Sequence, residues 1–193
     1  DNAFQHLPSL GLLEIGQTNL QRISQNLLAP LVNLHTIYLD FCRLTEIHAN
    51  AFDALRNLSF VNLDRNYLSQ LPNGLFKNNL NLNTLIASNN FIMRLERETF
   101  GLHPLMTSID ISNSRVNEIN PRLFENFPLL DTFNAQNNLC TDAILSNVNN
   151  IDFDVEDSLN QCFFNWFNPS GAEGVYKGTM MILFVVIANI IIQ

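Results

Sequence analysis

Basic residues are scarce in this sequence. Ten Lys and Arg stand against 18 Asp and Glu, a formal net charge of −8. That balance disfavours nucleic acid or an anionic membrane surface as partner, because neither attracts an acidic protein. An acidic surface also keeps a protein soluble with no partner implied. Cysteine is scarce too, and three cysteines do not make a disulfide-dense scaffold. Catalytic signatures are missing: there is no His-x-x-x-His, no Cys-x-x-Cys and no Gly-rich phosphate loop. His6, His35, His48 and His103 fall at unrelated places in the repeat described below. Distant residues can still assemble into a catalytic constellation, but the chain reads as a non-enzyme, with no catalytic residue, cofactor or metal site. No Met begins the chain and no signal peptide opens it, so the sequence reads as processed or incomplete.

What is present is a period. The stretch LSFVNLDRNYLSQLPNGLF, residues 58–76, places Leu58, Val61, Leu63, Asn66, Leu68, Leu71 and Phe76 at offsets 0, 3, 5, 8, 10, 13 and 18. A shift of 24 residues in either direction returns similar residue types. Repeats begin at Leu10, Leu34, Leu58, Leu82 and Met106, and a sixth begins at Leu130 and stops at Cys140. Phe4 occupies the last position of a repeat whose beginning is missing. A fixed period of this length outranks any local helix or strand preference and predicts a solenoid. With 193 residues and 47% hydrophobic content the chain can fill its core.

Each offset has a physical task. Offsets 0, 3 and 5 predict a short strand with inward apolar side chains, and successive strands pair in parallel because one repeat cannot bury its apolar face alone. Offset 8 reads Thr18, Cys42, Asn66, Asn90, Ser114, Asn138. A polar side chain buried there can bond the backbone of the turn leaving the strand. Offset 18 reads Phe4, Leu28, Phe52, Phe76, Phe100, Phe124, a stripe that fills the space behind the strands. Pro72 and Pro121 fall on the convex return, which therefore predicts short irregular turns in place of long helices.

The pattern L-x-x-L-x-L-x-x-N-x-L-x-x-L-x-x-x-x-F resembles the 24-residue leucine-rich repeats of animal extracellular proteins, over Phe4 to Cys140. The resemblance implies an α/β leucine-rich-repeat solenoid, poor in helix, with a parallel concave sheet, an irregular convex side and a small C-terminal cap. It extends loosely to insect surface and immune proteins, the chaoptin-like adhesion molecules and the leucine-rich immune proteins. The domains implied are repeats over 1–138, a capping region over 139–167, and a linker with an apolar segment over 168–193.

Caps of this family commonly carry four cysteines in two bridges, and this one offers two. The resemblance implies one bridge, Cys140 to Cys162, closing a loop of roughly 20 residues and contributing about 3 kcal/mol. Free thiols in a cytosolic protein are the other reading. Asp152, Asp154, Glu156 and Asp157 fit either a calcium site or a solvated acidic face. Asn57-Leu58-Ser59 is an N-glycosylation sequon.

From Asn168 the character changes. Ser170, Gly171 and Ala172 precede a spacer, Glu173 to Thr179, and an apolar run from Met180 to Ile192. These are the parts of a glycolipid-anchor signal, with Ser170 as attachment residue. As a helix the run spans about 20 Å, short of the roughly 30 Å hydrocarbon core, so a membrane span cut by the chain end is the rival. A strand-like or aggregating tail is a third reading. The first two place the repeats outside the cell, on the outer face of the plasma membrane.

The concave face is the candidate site. Apolar and aromatic residues gather in its N-terminal half: Leu12, Tyr38, Phe41, Phe60 and Ile86, bordered by Asp40, Asp64 and Arg65. Exposed aromatics beside charge mark a protein-binding surface. The C-terminal half is small and polar. The expected function is a cell-surface recognition or adhesion module, including innate immune recognition, with a protein ligand on the concave side. The alternative is the ectodomain portion of a membrane-spanning signalling receptor of the Toll-like type.

Overall fold

The computed structural model describes residues 3–146, 148 and 154–168. In chain order the elements are β1 (Leu12–Glu14), β2 (Arg22–Ile23), β3 (Thr36–Tyr38), β4 (Glu46–Ile47), β5 (Phe60–Asn62) and β6 (Thr84–Ile86). Then come β7 (Arg94–Leu95), β8 (Ser108–Asp110), β9 (Glu118–Ile119), β10 (Thr132–Asn134), β11 (Ile144–Ser146) and α1 (Asp154–Phe167). Strands β1, β3, β5, β6, β8 and β10 stack in parallel, each paired with the residue 24 positions on: Leu13 with Ile37, Ile37 with Val61, Val61 with Leu85, Leu85 with Ile109, Ile109 with Phe133. This is the solenoid that the period predicts, with the parallel sheet that the resemblance to leucine-rich repeats implies. In each of these strands the middle residue is buried and its neighbours face out, the period of two that a half-buried strand requires.

Behind the sheet the core is one continuous column. The offset-0 residues Leu34, Leu58, Leu82, Met106 and Leu130 are buried. Phe52 stacks on Phe76 at 5.6 Å and Phe76 on Phe100 at 5.8 Å. Each such side chain contributes roughly 1.5–3 kcal/mol by leaving water. At the first repeat Leu10, Ile15 and Leu20 are only partly buried, whereas their counterparts Leu34, Leu39 and Leu44 are fully so. A stacked repeat needs a neighbour on each side to be dry.

The offset-8 residues hold the turns, and they do so across repeats. Asn66 Oδ1 accepts from the N–H groups of Cys42 and Leu44, at 3.0 and 2.9 Å. Its Nδ2 donates to the carbonyls of Leu39, Leu63 and Asp64. Asn90 and Asn138 repeat the arrangement, accepting from Leu68 and Val116 of the repeat before. Cys42 Sγ donates to the Ile15 carbonyl. Ser114 is too short for the role, and its Oγ is buried without a partner.

The convex return is irregular, with 3₁₀ turns at Arg97–Thr99 and Leu123–Asn126. It also carries two small parallel ladders, β2–β4 and β7–β9, that the apolar pattern does not announce. Pro72 explains why they are two and not one. His48 N donates to the Ile23 carbonyl and Asn120 N to that of Leu95, at the same step of their repeats. Pro72 stands at this step in the third repeat and has no N–H to give.

After the last repeat β11 turns back and pairs antiparallel with β10, Phe133 opposite Leu145. A disulfide joins Cys140 to Cys162. Helix α1 packs on β9, where Asn165 Nδ2 donates to Asn117 and the Arg94 guanidinium lies 3.9 Å from the Trp166 ring centre. On the helix itself Leu159 and Cys162 are buried.

Replacing Asn66 by Ala removes five hydrogen bonds and strands two buried N–H groups. The expected loss is about 3 kcal/mol, read from the denaturant midpoint. Ser114→Asn extends the ladder into the gap and is expected to raise the same midpoint.

Candidate functional site

The concave surface is made by the outward residues of the parallel strands and the turn that follows each. Tyr38 and Phe60 sit diagonally across β3 and β5 with ring centres 5.1 Å apart. In the turn after β3, Phe41 is exposed and the Arg65 guanidinium lies over its ring at 5.0 Å. Leu12 is exposed, and Ile86 is half-buried. The structure thus brings Tyr38, Phe60, Phe41 and Arg65 together over two adjacent repeats. Leu12 lies one repeat before them and Ile86 one after, on the same face.

The acids behave differently from one another. Asp64 is occupied: its Oδ1 accepts from Ser88 Oγ at 2.7 Å and Asn89 Nδ2 at 2.8 Å, and its Oδ2 pairs with Arg65 Nε at 3.3 Å. Its part is to hold Arg65 over Phe41. Asp40 leans over Gly16, where a Cβ would stand 3.1 Å from its Oδ1. A side chain at position 16 would crowd that carboxylate and the Asp40 carbonyl by a few tenths of an ångström.

The backbone of the turn is left-handed at offset 7 in all six repeats: Gln17, Phe41, Arg65, Asn89, Asn113 and Asn137 have φ between 52° and 58°. Asn tolerates this region; Phe, Arg and Gln pay about 1–2 kcal/mol to enter it. The C-terminal repeats use the tolerant residue, and the repeats carrying the aromatic patch do not.

Beside the concave face runs a second set of residues that the choice of outward offsets overlooked. At offset 9, on the flank just past each turn, stand Arg43, Tyr67, Phe91 and Arg115. Tyr67 and Phe91 are exposed and stacked, 6.0 Å apart and 16° from parallel. The Arg115 guanidinium lies 4.6 Å from the Phe91 ring centre. Reading offset 9 down the repeats would have exposed the pattern.

The histidines do not meet. His103 is buried at offset 21, a position held by Leu31 and Leu55 in earlier repeats and by Asn79 in the third. Asn79 Nδ2 donates to the carbonyls of Phe52 and Leu55. The His103 Nδ1 lies 3.3 Å from the Gly101 carbonyl oxygen, while its Nε2 is buried without a hydrogen-bond partner. Desolvation lowers its pKa below 6.5 against the smaller opposing pull of the Gly101, Phe76 and Asn79 carbonyls. Among the described residues no group of three or more His, Cys, Asp or Glu is placed to hold a metal ion.

Asn57 has a structural task. Its Nδ2 donates to the Val32 carbonyl at 3.4 Å, as Asn33 does to Pro8 and Asn81 to Arg56. The Asp157 side chain is exposed; Asp152 lies outside the described residues, as do the side chains of Asp154 and Glu156. Ser170, its neighbours Gly171 and Ala172, and the apolar run Met180 to Ile192 lie outside them as well. Among the described residues no helix is long and apolar enough to cross a membrane.

A family model for the BspA type leucine rich repeat region matches residues 21–152 in six copies. No curated protein matches the chain. Among solved structures, a TLR13–ssRNA13 complex aligns with a TM-score of 0.69 at 24% identity, over 73% of this chain and 20% of that one. The leucine-rich repeat domain of APL1B aligns at 0.56 and 28% identity, over 69% of this chain and 36% of that one. The APL1 leucine-rich repeat domain aligns at 0.63 and 20% identity, over 68% and 35%. The chain thus spans between a fifth and about a third of these proteins.

His103 gives the fold a pH limb. Its folded pKa is depressed, so below 6.5 the unfolded chain takes up a proton that the folded one resists. Stability is full above 6.5 and falls as pH drops through the window between 6.5 and the folded pKa. His103→Asn, copying Asn79, is expected to flatten this limb in thermal melts measured across that window.

Proposed function

The chain belongs to the leucine-rich repeat family, in its BspA type, and from that premise we propose that its concave sheet holds a protein partner. One observation carries the reading. The two aromatic contacts of this face, Tyr38 with Phe60 and Arg65 with Phe41, lie on adjacent repeats, and the second rests on left-handed Phe and Arg backbones. Strain of this kind persists where a side chain's task outweighs its conformational cost. Tyr, Phe and Arg are the residues that dominate protein interfaces.

The finer reading is an extracellular, cell-surface module for recognition or adhesion, including innate immune recognition. A disulfide closing the cap supports an oxidising compartment, and the likeness to the APL1B repeat domain supports the repeat architecture of such a module. Attachment to the membrane would run through the segment after Asn168, by a glycolipid on Ser170 or by a span. A second reading is the ectodomain portion of a Toll-like receptor, favoured by the alignment with a fifth of the TLR13 chain. That neighbour is a complex with single-stranded RNA; here the net charge of −8 and the concave Asp40, Asp110 and Asp131 oppose a phosphate backbone.

A photo-crosslinking residue placed at Phe60 on the cell surface is expected to capture a protein that the same residue at Lys77, on the convex side, does not. Equal capture at both positions would remove the concave site. Phe41→Asn is expected to stabilise the fold by about 1 kcal/mol, relief of the left-handed strain exceeding the lost cation–π contact, and to weaken the partner complex. For the tail, a phospholipase specific for phosphatidylinositol anchors releases the protein from intact cells if Ser170 carries the glycolipid. Retention favours a membrane span.

A further inference from the structure

The flank column at offset 9 does nothing that the solenoid requires. Tyr67 and Phe91 are exposed, as is the nearby Met93, at 52%, 37% and 56%. The Asn ladder and the core stripe hold the repeats without them. The charge at the column's ends is also unbalanced. Among the described residues Arg22, Arg65, Lys77, Arg94, Arg97 and Arg122 all pair with carboxylates. Arg43, Arg56 and Arg115 make no ion pair among the described residues, and of these three Arg43 and Arg115 bracket the two aromatics at the same offset. The Arg43 backbone is itself left-handed, at φ 56°. In a chain with 18 acids and ten bases, two unpaired arginines in one column with no acid between them form a local site of reversed charge.

From this juxtaposition we infer that the Arg43–Tyr67–Phe91–Arg115 column is a second contact surface for the protein partner, and that it takes an extended acidic segment. The inference rests on the reading of a protein ligand and extends it to the flank. The spacing defines the segment. Arg43 and Arg115 are three strand steps apart, about 14–15 Å. An extended chain covers that distance in about four residues, and residues i, i+2 and i+4 of a strand point the same way. The sequence that fits has an acid at i, an apolar residue at i+2 and an acid at i+4. The apolar side chain lies on Tyr67 and Phe91 while each carboxylate meets one guanidinium.

The test is selection of phage-displayed random 12-residue peptides on the full chain. The expected outcome is enrichment of acid-x-apolar-x-acid, with binding that falls about tenfold or more in the Arg43→Gln/Arg115→Gln protein and that weakens with salt. Both arginines are exposed and neither makes an ion pair among the described residues, so the double variant, which gives up one surface contact of Arg115 with Phe91, is expected to melt close to the parent, and a melt checks it. Phe60→Ser, on the concave face, is expected to leave these peptides bound. Selected peptides without paired acids overturn the inference, as does equal retention on the arginine variant. Loss confined to Phe60→Ser overturns it too and moves the peptide site to the concave face. A 12-nucleotide poly-U strand that binds in an arginine-dependent way while no peptide is selected overturns it in favour of nucleic acid. Failure of the concave reading shows separately, as equal crosslinking at positions 60 and 77.

Discussion

The solenoid depends on one buried polar side chain at the turn that leaves each strand. A chain that climbs by parallel strands must reverse direction after every three residues of ladder, and each reversal strands N–H and C=O groups in a dry interior. Left unpaired, each such group costs on the order of 1–3 kcal/mol. Asn66 is amide donor and carbonyl acceptor in one side chain, and it serves the turn of its own repeat and that of the repeat before. That double duty makes the ladder an element of register as well as of stability. A repeat slipped by one residue would carry its Asn away from both turns and turn its strand's apolar face to water.

This constraint is why so much of the fold is legible in the sequence. Offsets 0, 3, 5 and 18 read as core because each is apolar in repeat after repeat, and the parallel register of 24 follows from them. What the apolar pattern does not show are features set by single residues against the period. Pro72 splits the second ladder because one N–H is absent. Gly16 matters because Asp40 folds back on it, a contact between repeats that no run of sequence displays. His103 occupies a column that is otherwise Leu, Asn or Phe, and its burial follows from the packing of three neighbouring repeats.

The candidate site was legible in outline only. Outward offsets on the strands are certain once the inward ones are known, so Tyr38 and Phe60 could be placed on one face before their rings were seen 5.1 Å apart. Asp64 looked like a free border charge because its partners, Ser88 and Asn89, lie a whole repeat away. The flank column was missed for a different reason. Offset 9 lies past the turn, where a strand-based reading stops, yet a solenoid repeats its turns as faithfully as its strands and so aligns whatever side chains they carry.

The turn is where fold and function compete for the same backbone. Asn89, Asn113 and Asn137 show the solution that the fold prefers at the left-handed position. Phe41 and Arg65, and Arg43 two residues past Phe41, show departures from the tolerant choice within two consecutive repeats. Each departure adds cost to a turn whose other groups are already fixed by the Asn ladder, and the cost falls beside exposed aromatic rings. A sequence drifting without demand on this surface would replace such residues with Asn, Asp or Gly, because the ladder and the core tolerate the change and the strain favours it. With Gln17 and Gln21 of the first repeat, the departures fall in the first three repeats, and the polar C-terminal half is free of them. Backbone strain and side-chain chemistry therefore point to the same end of the solenoid.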